Sequence, residues 1–146
     1  MINHQRDDLS SVYVPLRLTY GLVPVIAGLD KFTNLLTDWS NYLPPLMVDL
    51  LPIAPDAFMG IVGIIEVLAG LAVLTKWSRL GAYVVATWLT LIAITLVLGG
   101  HFDVAVRDLV MAVGAVTLGQ IAALRGEPLW PTIRASEEVG LHASAN

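Results

Sequence analysis

Residues 57–75 read AFMGIVGIIEVLAGLAVLT, nineteen positions with a single charged side chain, Glu66. As an α-helix rising about 1.5 Å per residue, such a run crosses the roughly 30 Å hydrocarbon core of a bilayer. Three further apolar runs of similar length occupy about 12–32, 80–98 and 104–124. Turn signals separate them: Lys76-Trp77-Ser78-Arg79 after the second, Gly99-Gly100-His101 after the third, and Arg125-Gly126-Glu127-Pro128 after the fourth. The sequence therefore predicts an all-α, integral membrane four-helix bundle, left-handed, with a membrane domain over 1–126 and a polar, mobile tail over 127–146.

Composition agrees. The 146 residues are 56% hydrophobic and 14% charged, with mean hydropathy +0.74, far from an ordinary soluble domain. There is no cysteine, so disulfides, thiol nucleophiles and thiolate metal sites are excluded. A net charge of −4 and scattered Lys and Arg argue against nucleic acid as a partner. One histidine near scattered carboxylates is a poor ligand set, so no metal site is expected. Paired in-span histidines for a haem are absent, as are phosphate-binding glycine loops and nucleophile elbows. No covalently bound cofactor is expected.

Orientation follows from basic residues. Arg6, Lys76, Arg79, Arg125 and Arg134 fall on the side holding both termini, against Lys31 and Arg107 on the other. Retention of positive residues in the cytoplasm puts both termini there. Arg17 interrupts the first apolar run and Asp7 and Asp8 offset Arg6, which speaks against a cleaved signal peptide. The outer loop over 33–56 mixes Trp39, Tyr42, leucines, prolines and aspartates. It fits either a segment resting on the membrane surface or a lid over the bundle.

Helical spacing then sorts the polar residues. Arg17, Gly21, Pro24, Gly28 and Lys31 share one stripe of the first span; Met59, Gly63, Glu66, Gly70 and Val73 share one on the second; Asp108, Ala112, Ala115, Gly119 and Ala122 share one on the fourth. Small residues at such intervals let helices approach closely in membranes. Ionisable groups in hydrocarbon are costly and face the bundle interior. Glu66 falls near mid-depth, while Asp30, Lys31, His101, Asp103, Arg107 and Asp108 gather near one mouth. One reading is a polar pocket with Glu66 at its floor, able to take or pass a proton. The other is a set of register-fixing ion pairs, Arg17 with Glu66 and Lys31 or Arg107 with Asp108. For Arg17 alone, an ion pair or snorkelling to the inner headgroups is the favoured reading.

Arg17-Leu18, Gly21, Gly28 and Lys31-Phe32, followed by Gly63, Glu66 and Gly70, then Arg79 and Asp108, together resemble the DoxX and DoxX-like membrane proteins over about 12–124. Pro24, Asp30 and the long first loop depart from that pattern. The resemblance implies a bacterial or archaeal inner-membrane protein of four spans. Its members are linked with quinone-dependent sulfur oxidation and with membrane oxidoreductase assemblies. The expected function is thus a small inner-membrane subunit of, or accessory to, a redox assembly, without catalysis of its own. A protein partner or a homo-oligomer is expected in the bilayer, and quinone is a possible ligand. Glu66, Lys31, Tyr20 and His101 are candidates to meet quinone oxygens. A proton-coupled carrier or pore, and a purely structural tetraspan, are the alternatives.

Overall fold

The computed structural model describes the chain from Ile2 to Trp130, with side chains from Leu9 onward. Five α-helices follow in order: α1 (Ile2–Asp30), α2 (Pro45–Leu50), α3 (Pro55–Leu74), α4 (Ser78–Leu98) and α5 (Phe102–Leu124), with a 3-10 turn at Trp39–Tyr42. No strand occurs among the described residues. Four of the helices are long and apolar enough to cross a membrane: Leu9–Asp30, Pro55–Leu74, Ser78–Leu98 and Phe102–Leu124.

The first helix begins at Ile2 rather than near residue 12, because no proline or glycine breaks the polar stretch 2–11. Its apolar window starts at Leu9. The other three start about two residues earlier than hydropathy suggests; α3 does so because Pro55 takes the first helical turn, where its missing N–H is no loss. The polar tail expected over 127–146 is described as far as Trp130; the remainder lies outside the described residues.

Two antiparallel pairs, α1 with α3 and α4 with α5, form the most extensive contacts, and α3 against α4 joins them. Within the first pair, backbones nearly touch. A Cβ placed on Gly63 would lie 2.5 Å from the Gly28 carbonyl oxygen, and one on Gly70 would lie 2.5 Å from that of Gly21. These two crossings, two helical turns apart, lock the register of α1 on α3. In the second pair, Ala82, Val85, Ala86 and Ala93 of α4 and Ala105, Ala112, Ala115 and Ala122 of α5 are buried. Small side chains again set a close approach.

The interior between the pairs is filled. Tyr13, Tyr20, Ala69, Val73, Val85, Ala115, Leu118 and Ala122 form one cluster, and Ala93, Leu96 and Ala105 a second toward the α4–α5 turn. The outward faces stay apolar and exposed, for example Ile26, Ile64, Leu91, Ile94, Val110 and Val113. Such faces contact the lipid of the bilayer. In the 33–56 segment Leu43 is buried, while Leu35, Leu36, Leu46 and Leu50 are exposed.

Candidate functional site

At the end of the bundle carrying the α1–α3 and α4–α5 connections, Lys31 Nζ donates to Glu66 Oε2 at 2.6 Å, with side chains 5% and 9% exposed. The glycine crossings place Lys31 about 9 Å along the bundle from Glu66 at ~1.5 Å per residue. Side-chain direction closes that gap. In a helix Cα–Cβ bonds tilt toward the N-terminus, so Lys31 leans inward from the end of α1 while Glu66 leans toward it from antiparallel α3.

Two other helices turn polar groups to this pair. Asp108 of α5 is buried and lies within electrostatic range of both Lys31 and Glu66. Trp88 of α4 turns its buried indole N–H toward the Glu66 carboxylate, short of a hydrogen bond of good geometry. The far side of Trp88 lines an open apolar groove of about 300 Å³ with Tyr83, Val84, Thr87 and Leu91. One aromatic side chain thus separates the lipid face from the buried acid–base pair.

The mouth above is covered by the first loop. Asp30 terminates α1 and accepts from the backbone N–H groups of Leu35 and Leu36, from the Thr33 hydroxyl and from the Trp39 indole N–H at 2.8 Å. That knot swings the Trp39 ring over Lys31, whose Nζ lies 3.7 Å from the ring centroid. A cation over an indole face is favoured by the ring quadrupole, more so when desolvated. Tyr42 continues the cover, 6.3 Å from Trp39 and 5.2 Å from the His101 imidazole between centroids. The loop thus covers the Lys31 end of the pair.

The chain contains two lysines, Lys31 and Lys76, and Lys76 is exposed. Trp39→Ala is therefore expected to raise amine labelling of Lys31 toward that of Lys76, read by peptide mass spectrometry. Unchanged protection of Lys31 would show that burial below the Trp39 ring, not the ring, shields it.

The remaining candidates lie elsewhere. Arg107 points outward, its side chain 67% exposed, reaching Asp108 at 3.6 Å. Asp103 is exposed. Tyr20 is buried in the larger core cluster, its hydroxyl against Gly114 of α5. The pairing expected for Arg17 is corrected: Lys31, not Arg17, meets Glu66. Arg17 instead donates from Nε to the Val73 carbonyl at 3.0 Å, and from Nη2 to those of Leu74 and Thr75 at 2.8 Å each. These are the unpaired carbonyls at the end of α3, where a cation also meets the negative helix pole. The register that brings Gly21 to Gly70 brings Arg17 to this terminus.

Sequence reasoning missed two participants, Trp39 and Trp88, and placed Asp30 in the polar mouth without its part in the loop. Their roles depend on a loop knot and on an inter-helix facing that no helical spacing encodes. At the opposite end, Tyr13 also went unmarked. Its buried hydroxyl donates to Ser78 Oγ at 2.9 Å, and its ring carries the Arg125 guanidinium 4.4 Å from its centroid. No group of three or more metal-ligating side chains occurs among the described residues.

Residues 12–100 match the sequence profile of the DoxX family. The chain belongs to the DoxX family. The matched residues contain Arg17, Lys31, Glu66 and Trp88 and stop short of α5, so Asp108 lies outside the DoxX match. No curated protein and no solved structure matches the chain. The four membrane-length helices and the DoxX membership together describe a multi-pass membrane protein.

Proposed function

We propose that this protein is a small inner-membrane subunit of, or accessory to, a redox assembly, and that it meets the headgroup of a bilayer quinone at the Trp88 wall. The observation that carries the proposal is the buried Lys31–Glu66 pair beside Trp88, a residue that also lines a lipid-open apolar groove. A quinone is an apolar ring suited to such a groove, and its carbonyl oxygens need proton-exchanging groups close by. Bound there, a quinone would supply the two-electron, two-proton couple that the side chains of this cysteine-free chain do not.

The residues of the chain then have separate tasks. The Trp88 ring packs against the headgroup, and the Tyr83, Val84, Thr87 and Leu91 surface receives its apolar part. Glu66 holds or takes up a proton, and Lys31 balances its charge. The Trp39 cover keeps water from reaching the pair from above. A pore or carrier is less favoured, because Ala69, Val73, Ala115, Leu118 and Ala122 fill the interior beyond Glu66. We further place both termini in the cytoplasm, from the excess of basic residues at that end, and take the bundle to be left-handed.

The test is mass spectrometry of the tagged protein extracted gently from its native membrane, reading bound small molecules and co-purifying polypeptides. Quinone and a redox partner are expected with the wild type. Trp88→Ala, which removes the ring from the groove wall, is expected to lose most of the quinone while retaining the partner. Absence of both quinone and partner, with respiratory electron flow unchanged by Glu66→Gln, would overturn the proposal.

A further inference from the structure

A second groove, of about 470 Å³, lies near the other end of the bundle, lined by Leu68, Leu71, Ala72, Thr75, Lys76 and Trp77. Its floor is the apolar, lipid-facing side of the last turns of α3, and its mouth is the α3–α4 turn. We propose that this groove holds one acyl chain of an anionic phospholipid, whose phosphate sits against Lys76 Nζ. The proposal is independent of the quinone reading.

Charge selects the occupant. Among the residues whose side chains are described, Arg17, Lys31, Arg79, Arg107 and Arg125 each have a hydrogen-bond or ion-pair partner, and Lys76 has none. It is exposed, at the point where the apolar groove ends. The nearby negative pole of α3 is already covered, because Arg17 binds its last carbonyls. What remains at the mouth is positive.

Depth agrees with a headgroup. Trp77 and Trp130 meet edge to face at 6.3 Å, and paired tryptophans at the end of a span mark the headgroup level. An acyl chain running from there toward mid-bilayer follows Ala72, Leu71 and Leu68 in order. A zwitterionic lipid fits the groove equally well but brings its own cation against Lys76, which is the physical ground for preferring an anionic headgroup.

The full-length protein is reconstituted in phosphatidylcholine vesicles containing a minor fraction of either dibromo-acyl phosphatidylglycerol or dibromo-acyl phosphatidylcholine. Quenching of Trp77 is read as the difference between wild type and Trp77→Phe. Greater quenching by the phosphatidylglycerol probe is expected, with the preference falling roughly fivefold in Lys76→Gln, the loss expected for one lysine at an anionic surface, and persisting in Lys76→Arg. Because Lys76 is exposed and unpaired, neither change endangers folding. Equal quenching by both probes overturns the proposal in favour of bulk lipid. Equal quenching together with Lys76–Lys76 cross-links between copies overturns it in favour of a second copy of the chain. A preference that survives Lys76→Gln unchanged also overturns it.

Discussion

Lys31→Met is expected to destabilise the bundle by about 3–5 kcal/mol, the loss seen when one partner of a buried ion pair is removed. Methionine keeps much of the apolar stem and removes the ammonium. Glu66 is then left 9% exposed with its strong acceptor unpaired, and Asp108 lies within electrostatic range of it with no intervening cation. The Trp39 ring also loses the charge beneath it. Neutralising the carboxylate in the same chain should reverse the effect: Lys31→Met with Glu66→Met is expected to regain most of the stability, since an apolar pair of similar volume often replaces a buried ion pair without loss. Unfolding of the purified protein in mixed micelles, run as a double-mutant cycle, measures the coupling. A double variant no more stable than Lys31→Met would mean that the site needs the charges for more than mutual compensation.

The contrast between Lys31 and Arg17 shows what the sequence carries and what it does not. Hydropathy and length marked all four membrane helices, because a run that crosses hydrocarbon has few compositional alternatives. The stripes Met59, Gly63, Glu66, Gly70, Val73 and Asp108, Ala112, Ala115, Gly119, Ala122 are all buried, as a 3.6-residue period within one helix requires. Partnership between helices is a different quantity. Arg17 and Lys31 lie on the same stripe of α1, and which of them reaches Glu66 depends on the axial register of α1 on α3. That register is set where the Gly28 and Gly21 carbonyls approach Gly63 and Gly70, contacts that a single helix cannot reveal. The buried face of α4, Ser78, Gly81, Ala82, Val85, Ala86, Ala93 and Leu96, escaped notice for a simpler reason. It carries no charge, and its small residues blend into a helix that is apolar all round.

The same glycine crossings give the second large effect, and it runs against helix propensity. Alanine is favoured over glycine inside a helix by up to about 1 kcal/mol, so propensity alone predicts that both Gly60→Ala and Gly63→Ala stabilise α3. Packing separates them. At Gly60 a new Cβ meets an atom of the Phe32 ring at 3.5 Å, an ordinary contact, and Gly60→Ala is expected to unfold at or above the wild type. At Gly63 the new Cβ lies 2.5 Å from the Gly28 carbonyl oxygen and 3.1 Å from Lys31 Cβ; backbone cannot swing aside as a side-chain tip does, so α1 must move off α3. Gly63→Ala is therefore expected to cost about 1–3 kcal/mol, as overpacked cores do, and Gly63→Leu more. The displacement also draws Lys31 away from Glu66, adding the loss of the ion pair to the loss of packing. Because the chain has no cysteine, one engineered pair across α1 and α3 reports the separation without background: its disulfide should form readily alone, persist with Gly60→Ala and fail with Gly63→Leu. If Gly60→Ala and Gly63→Ala unfold alike and the disulfide forms in every variant, α1 is held on α3 by side chains rather than by backbone contact, and the register that pairs Lys31 with Glu66 rests on the ion pair itself.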